Sequence, residues 1–353
     1  MEPSLRYTRT SDRITIAYTV TGVGRALIWL PPVPFSNVMD QWRIPFIHDA
    51  YQRLAEQMRL ILYDGRGTGH SQRDVADLSL DAMLRDLDAV VSDAGLDRFA
   101  LLGYYHSALT AIAYAARHPA RVTRLVLFGG TLRAMDAMSA PETQALLTLI
   151  ERDWDLFVDS AARAWMGWSV GEEGRLVADA FRTATTPAMA RGTLEAAREV
   201  DVSGEVGSVT SPALVLHRQG ERQIPVEVSQ ALADALPNGR LVRLEGSSAG
   251  LFFGDPEADL RVLLAFLTGE HDNASDSIPP AGSSVRTPRP GGLTPRELDV
   301  LRLIAQGEAN AEIAHRLGLS VHTVERHAAN LYRKIDARGR ADATAYAIRR
   351  GIL

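Results

Sequence analysis

The segment Leu101–Pro119, which reads LLGYYHSALTAIAYAARHP, decides the fold of the larger part of this chain. An apolar run ends at Gly103, and an alanine-rich stretch with helical spacing follows Ser107. The two patterns together predict a buried strand, a sharp turn and a helix. Two adjacent tyrosines and a histidine occupy the turn.

Short apolar, β-branched runs like this one recur through the first 270 residues. They begin at Arg13, Ala26, Arg59, Phe99, Arg124, Ala213 and Arg240. Amphipathic helical patterns separate them, and this alternation predicts an α/β fold with a mostly parallel sheet. The interval from about 131 to 203 breaks the rhythm and predicts a helical lid. Its aromatic residues could equally form ordinary core: Trp154, Phe157, Trp165, Trp168.

Composition restricts the chemistry and the compartment. The 353 residues include no cysteine, which excludes disulfides and thiolate chemistry, and 46% are hydrophobic, enough for a packed core. No run is long and apolar enough for a transmembrane helix, and the first residues do not have the pattern of a signal peptide. We therefore expect a cytoplasmic protein with no membrane partner, no cofactor and no metal.

The chain divides by composition into three predicted regions. Residues 270–291 are rich in Pro, Ser, Asp and Gly and predict a linker between a domain at 1–269 and a small domain at 292–353. From Arg289 onward the net charge is +4, whereas the rest of the chain carries −9. This asymmetry favours contact between the tail and a polyanion.

The larger domain resembles the α/β-hydrolase family from roughly Leu5 to Thr268. Four motifs appear in the family's order: LPPVPFSN from Leu30, YDGRGTGHS from Tyr63, LLGYYHSA from Leu101 and GDPEADLRVLLAFL from Gly254. In this family a G-x-S-x-G turn presents the nucleophilic serine. The resemblance implies the same sheet and the same turn here.

The triad that the resemblance implies is degenerate. Tyr105 stands at the nucleophile position, Ser107 at the second glycine, and Ala249 at the histidine position, while Glu221 occupies the place of the acid. Without the imidazole there is no general base for a hydroxyl nucleophile. We therefore expect a pseudo-hydrolase that is not an enzyme.

What remains of such a site is a concave pocket, which predicts a binding site. We expect a small apolar or aromatic ligand that carries a polar group, with the backbone N–H groups of Val33 and His106 as donors. The predicted wall consists of Phe35, Val33, Tyr104, Tyr105, His106, Glu221, Trp154, Trp165 and Trp168. Each of these residues could instead serve core packing.

The tail has the pattern of a helix-turn-helix. Thr294, Pro295 and Glu297 form a helix start with a capping box, and glycines at 307 and 318 end the first two helices. It resembles the LuxR-type DNA-binding domain over some sixty residues, through LTPRE at 293–297, EIA at 312–314, Thr323-Val324 and Lys334.

In that family the third helix enters the major groove, and members pair as dimers through the last helix, here 341–348. The resemblance assigns DNA contacts to His322, Thr323, Glu325, Arg326, Ala329, Arg333 and Lys334. Arg326 is the expected base contact. Glu325 departs from the basic residue common in the family, and it could read a cytosine or pair with an arginine.

The two parts together predict a ligand-responsive DNA-binding transcriptional regulator that acts as a homodimer on promoter DNA. The alternative is an active α/β hydrolase with relocated catalytic residues, such as His106 and Ser107, and a DNA-binding tail. A third possibility is a protein-interaction scaffold without a small ligand.

Overall fold

A computed structural model of the chain divides into two compact units, Met1–Ser275 and Asp276–Leu353. In the first unit it describes residues 3–166, 172–221, 223–246, 248, 250–252 and 255–269. In the second it describes residues 295–317, 324, 327–328, 331–332, 334–335, 337 and 339–349. The predicted linker at 270–291 lies outside the described residues.

The first unit is built on an eight-stranded sheet. Its strands are β1 (Arg6–Arg9), β2 (Thr15–Thr21), β3 (Arg25–Trp29), β4 (Met58–Tyr63), β5 (Phe99–Tyr104), β6 (Val122–Phe128), β7 (Ala213–Arg218) and β8 (Gly239–Leu244). They lie in the order β1-β2-β4-β3-β5-β6-β7-β8. The β1–β2 and β2–β4 pairs are antiparallel and the other neighbours are parallel. The predicted fold class is confirmed.

Helices cover both faces of this sheet. Before β7 they are α1 (Val38–Trp42), α2 (Pro45–Ala55), α3 (Leu80–Asp93), α4 (His106–Arg117), α5 (Ala134–Met138), α6 (Pro141–Leu147), α7 (Leu149–Arg152), α8 (Trp154–Met166), α9 (Glu172–Ala184) and α10 (Pro187–Arg198). After a 3₁₀ turn at Val206–Ser208 and β7 come α11 (Val226–Ala235) and α12 (Pro256–Thr268). Helices α5 to α10 fall within the interval predicted to form a lid.

The central strands are apolar along their length because both faces are covered. Every residue of β5 and β7 is buried, and two separate apolar clusters, one on each face, pack against the sheet. The edge strand β1, with sequence RYTR, is mostly exposed. It was absent from the predicted strands because a polar edge strand carries no apolar run.

The second unit is a small helical domain. Its described helices are α13 (Pro295–Ala305), α14 (Asn310–Leu317) and α15 (Arg340–Arg349). Its core contains Val300, Leu301, Ile304, Ile313 and Val324 among the described residues. None of the helices described in either unit is long and apolar enough to cross a membrane.

Candidate functional site

The turn between β5 and α4 keeps the geometry of a nucleophile elbow. Tyr105 has φ 48° and ψ −114°, a region that non-glycine residues rarely occupy, and α4 begins at the next residue. Gly103 allows the helix to approach closely, since a Cβ there would lie 2.6 Å from Ala108 Cα. The strained turn is present, and a phenol stands where the family carries a serine.

The Tyr105 side chain is buried and fixed at both ends. Its hydroxyl donates a hydrogen bond to the Glu221 carboxylate, and its ring lies against Gly129. A Cβ on Gly129 would lie only 2.8 Å from Tyr105 Cζ, and Gly129 has φ 59°. Glu221, at the position expected for the acid, therefore contacts Tyr105 directly, with no histidine between the two side chains.

The phenol is a poor nucleophile in this setting. Burial raises the pKa of Tyr105 well above 10, and the nearby negative charge of Glu221 raises it further. The hydroxyl is therefore protonated at neutral pH.

Ser107 and His106 are the nearest candidates for relocated chemistry, and neither is arranged for it. The Ser107 hydroxyl is buried, donates to Tyr104 O at 3.0 Å and accepts from Tyr104 N at 3.0 Å. The His106 Nε2 atom is buried and has no hydrogen-bond partner among the described residues. Burial lowers the pKa of His106 to about 4, so the imidazole is neutral at neutral pH. No hydrogen bond between His106 and Ser107 is found among the described residues.

The loop that carries the histidine position is held by a buried ion pair. Arg218, at the end of β7, binds Asp259 of α12 at 2.5 Å, and it donates to the carbonyl oxygens of Glu245 at 2.8 Å and Gly250 at 2.9 Å. Asp259 also accepts from Phe252 N at 2.8 Å. Ala249 itself lies outside the described residues.

A cavity of about 90 Å³ lies next to this turn. It is bordered by the ends of β3, β4 and β5, by the loop after β3, by α1, α2 and α9, and by the loop before α12. The lining residues are Trp29, Leu30, Pro31, Pro32, Val38, Gln41, Ile44, Ile47, Tyr51, Leu62, Tyr63, Tyr104, Val177, Ala180, Phe181, Leu251 and Phe252. Apart from one amide and a few aromatic polar atoms, this lining is apolar.

Of the predicted wall residues, Tyr104 lines this cavity, and Val33 lines a smaller neighbouring cavity of about 30 Å³. Phe35 is buried in packing with Phe181, at a centroid distance of 4.1 Å, and with Trp154, at 6.4 Å. Tyr105, His106 and Glu221 are not among the described lining residues. Position 168 lies outside the described residues, and at position 165, within α8, only the backbone is described.

Sequence reasoning missed several aromatic residues of the wall, among them Trp29 and Tyr51. Trp29 ends a central parallel strand, at the edge of the sheet where ligands bind in open α/β folds, and this position was a usable signal. Tyr51 lies in the middle of α2, where nothing in the sequence distinguishes it from core.

In the second unit, one predicted DNA contact can be located. Lys334 Nζ lies 2.6 Å from Glu297 Oε2, and the Glu297 side chain is 5% exposed. This ion pair connects Lys334 to α13, which contains Glu297. The other predicted contacts, at positions 322, 323, 325, 326, 329 and 333, lie outside the described residues.

Comparison with known proteins identifies both parts of the chain. Residues 35–190 match the family model described as alpha/beta hydrolase fold, and residues 292–347 match that of bacterial regulatory proteins, luxR family. The chain therefore carries an α/β-hydrolase-fold domain followed by a LuxR-type DNA-binding domain. This combination fits a DNA-binding transcriptional regulator.

The relatives of the first domain are hydrolases by name. A Caulobacter sp. (strain K31) protein named as a carbamate hydrolase, RutD, is 26% identical over 271 residues, covering 74% of this chain and 92% of the relative. The hydrolase superfamily protein YisY of Bacillus subtilis (strain 168) is 25% identical over 263 residues, covering 71% and 94%.

Solved structures agree on the fold. An esterase from Exiguobacterium antarcticum superposes with a TM-score of 0.66 at 20% identity, covering 74% of this chain and 98% of the esterase. An enol-lactonase from Burkholderia xenovorans LB400 gives a TM-score of 0.64 at 21% identity, covering 74% and 100%. At this identity the likeness establishes the fold alone.

Proposed function

We propose that this protein is a ligand-responsive transcriptional regulator whose hydrolase-fold domain binds a small molecule without hydrolysing it. The observation that carries the proposal is Tyr105, which stands at the nucleophile position with its hydroxyl bound to Glu221. A serine triad passes a proton from hydroxyl to imidazole, whereas here the phenolic hydroxyl keeps its proton and donates a hydrogen bond to the carboxylate.

The cavity beside the turn supports ligand binding. It is concave and mostly apolar, with a few hydroxyl and amide groups, as small-molecule sites usually are. Its walls include α9, which belongs to the helical insertion, so that a bound molecule would contact both the insertion and the sheet. A change in the insertion is the route by which we expect occupancy to influence DNA binding.

DNA binding by the second domain follows from its family, and we propose that it acts as a homodimer. Family members pair through the last helix, which is α15 here. A two-fold arrangement would place two groove helices on half-sites one helical turn apart.

The proposal predicts that the protein does not hydrolyse esters or carbamates. p-Nitrophenyl acetate and a short p-nitrophenyl carbamate should turn over no faster with native than with heat-denatured protein. The Ser107→Ala variant is the matched control, because Ser107 is the nearest serine hydroxyl to the turn.

The names of the relatives favour the alternative, an active hydrolase with relocated catalytic residues. A rate that saturates with substrate and disappears in Ser107→Ala would establish that alternative and overturn the proposed inactivity.

A further inference from the structure

The side chains that line the cavity indicate the charge of the ligand that it would accept. None of its described lining side chains is a lysine, arginine, histidine, aspartate or glutamate. Transfer of an ion from water into such surroundings is costly, since no opposite charge replaces its hydration. The lining therefore disfavours a carboxylate ligand, which would meet no cationic side chain there.

The phenols in the wall reinforce this selection. Burial raises the pKa of Tyr51, and the negative charge of Asp64 raises it further. The pKa of Tyr104 is raised by burial and then by Glu221. Both hydroxyls stay protonated at neutral pH and therefore add no negative charge to the wall.

One end of the cavity offers a polar anchor. The Tyr51 hydroxyl, on α2, lies 3.5 Å from Gln41 Oε1, on α1, which is long for a hydrogen bond between oxygens. The Gln41 amide in turn donates weakly to Phe35 O, at 3.4 Å. A ligand oxygen placed beside these two groups would form shorter hydrogen bonds than the groups form with each other.

We propose that this cavity binds a compact, largely aliphatic molecule that has one hydroxyl or carbonyl group and no negative charge, anchored by Tyr51 and Gln41 rather than by residues at the triad positions. The inference rests on the proposed function in so far as that function supplies the need for a ligand. It adds the chemical class of the ligand and the two residues that select it.

The volume limits the size of the ligand. A single water requires about 10–15 Å³ of such space, so that about 90 Å³ accommodates roughly six to nine water-sized groups. A branched six-carbon alcohol falls within this range.

Two probes of almost the same shape and different charge test the proposal. They are 3,3-dimethylbutan-1-ol, which is neutral, and 3,3-dimethylbutanoate, which is anionic. Calorimetric titration into the full chain at neutral pH should give a Kd for the alcohol at least tenfold lower than for the carboxylate. Tighter or equal binding of the carboxylate, or no binding of the alcohol, would overturn the proposed ligand class.

Three substitutions test the site. Ala180→Leu adds a larger side chain at a buried lining position of α9 and should abolish alcohol binding, whereas Asp179→Leu, at the exposed neighbouring position, should leave it unchanged. Tyr51→Phe keeps the ring and removes the hydroxyl, and it should weaken binding about five- to tenfold, the loss expected for one hydrogen bond.

Alcohol binding that Ala180→Leu leaves unchanged, in a variant with native circular dichroism and an unshifted Tm, would place the ligand elsewhere and overturn the inference. Binding that follows these expectations while DNA affinity stays constant would support the inference and contradict the proposed regulatory function. The two failures are therefore distinguishable.

Discussion

At the scale of single residues, Tyr105, Glu221 and Gly129 form a mutually fitted set. The tyrosine ring occupies space that exists only because residue 129 has no side chain, and its hydroxyl binds the carboxylate at the acid position. The position of the Tyr105 ring therefore depends on the absence of a side chain at residue 129.

A double-mutant cycle tests this fit. Gly129→Ala should lower the free energy of unfolding by about 2–3 kcal/mol, because strain at positive φ adds to the contact with the Tyr105 ring. In the Tyr105→Ser background the ring is absent, and the same change should cost about 1 kcal/mol, the strain alone. Urea denaturation of the four proteins gives the coupling. Equal costs in both backgrounds would mean that glycine is not needed for the ring.

His106 predicts a pH dependence of stability. Its folded-state pKa of about 4 lies below the ordinary value of 6.5, so that the unfolded chain binds more protons between these pH values. Stability should fall as the pH decreases from 6.5 to 4, by at most about 3 kcal/mol from this residue. His106→Leu should flatten that part of the curve of unfolding free energy against pH. Superimposable slopes for the two proteins would show that His106 is not buried in the neutral form.

The sequence predicted part of this site, and the missing part has a physical reason. Tyr105 could be assigned to the nucleophile position because the strand, turn and helix around it are contiguous in the chain. Gly129 lies 24 positions from Tyr105, whose ring it accommodates. Tyr51 lies 53 positions from Tyr104, with which it lines the cavity. No local pattern records such contacts.

At the scale of elements, the ion pair Arg218–Asp259 connects β7, α12 and the loop that lines the cavity. Both side chains are 1% exposed, and together they bind the backbone on either side of the degenerate histidine position. Leu251 and Phe252 of this loop line the cavity. The pair thus shapes the pocket without contacting a ligand.

Breaking this pair should destabilise the fold strongly. Arg218→Met leaves Asp259 buried without its cation and should cost about 3–5 kcal/mol. Arg53→Met is the matched control, since Arg53 pairs with Glu257 of the same helix at the surface, and it should cost less than about 1 kcal/mol. Guanidinium denaturation followed by circular dichroism measures both. Similar small losses would mean that water screens the Arg218 pair as well.

The same scale explains what the sequence revealed about the fold. The central strands were predictable because burial on both faces requires continuous apolar runs, as in β5 and β7. Strand β1 was not, because its residues are mostly exposed and form no apolar run. Periodicity detects burial rather than hydrogen bonding.

At the scale of the whole molecule, the proposed function requires that ligand binding in one unit influence DNA recognition by the other. A ligand can change DNA affinity only by the difference in its own affinity for the DNA-bound and free forms. By the same linkage, DNA must change the affinity for the ligand by an equal factor. Sensing is therefore a measurable free-energy coupling between the two units.

The most direct test of the account is the affinity of the full chain for a DNA duplex obtained by in vitro selection, with and without saturating 3,3-dimethylbutan-1-ol. We expect the alcohol to change the Kd for DNA about fivefold or more, the lower end of typical allosteric couplings. The alcohol should have no effect on Ala180→Leu, in which the cavity is filled. An unchanged Kd in the wild-type protein, under conditions where calorimetry shows the cavity occupied, would contradict the central claim.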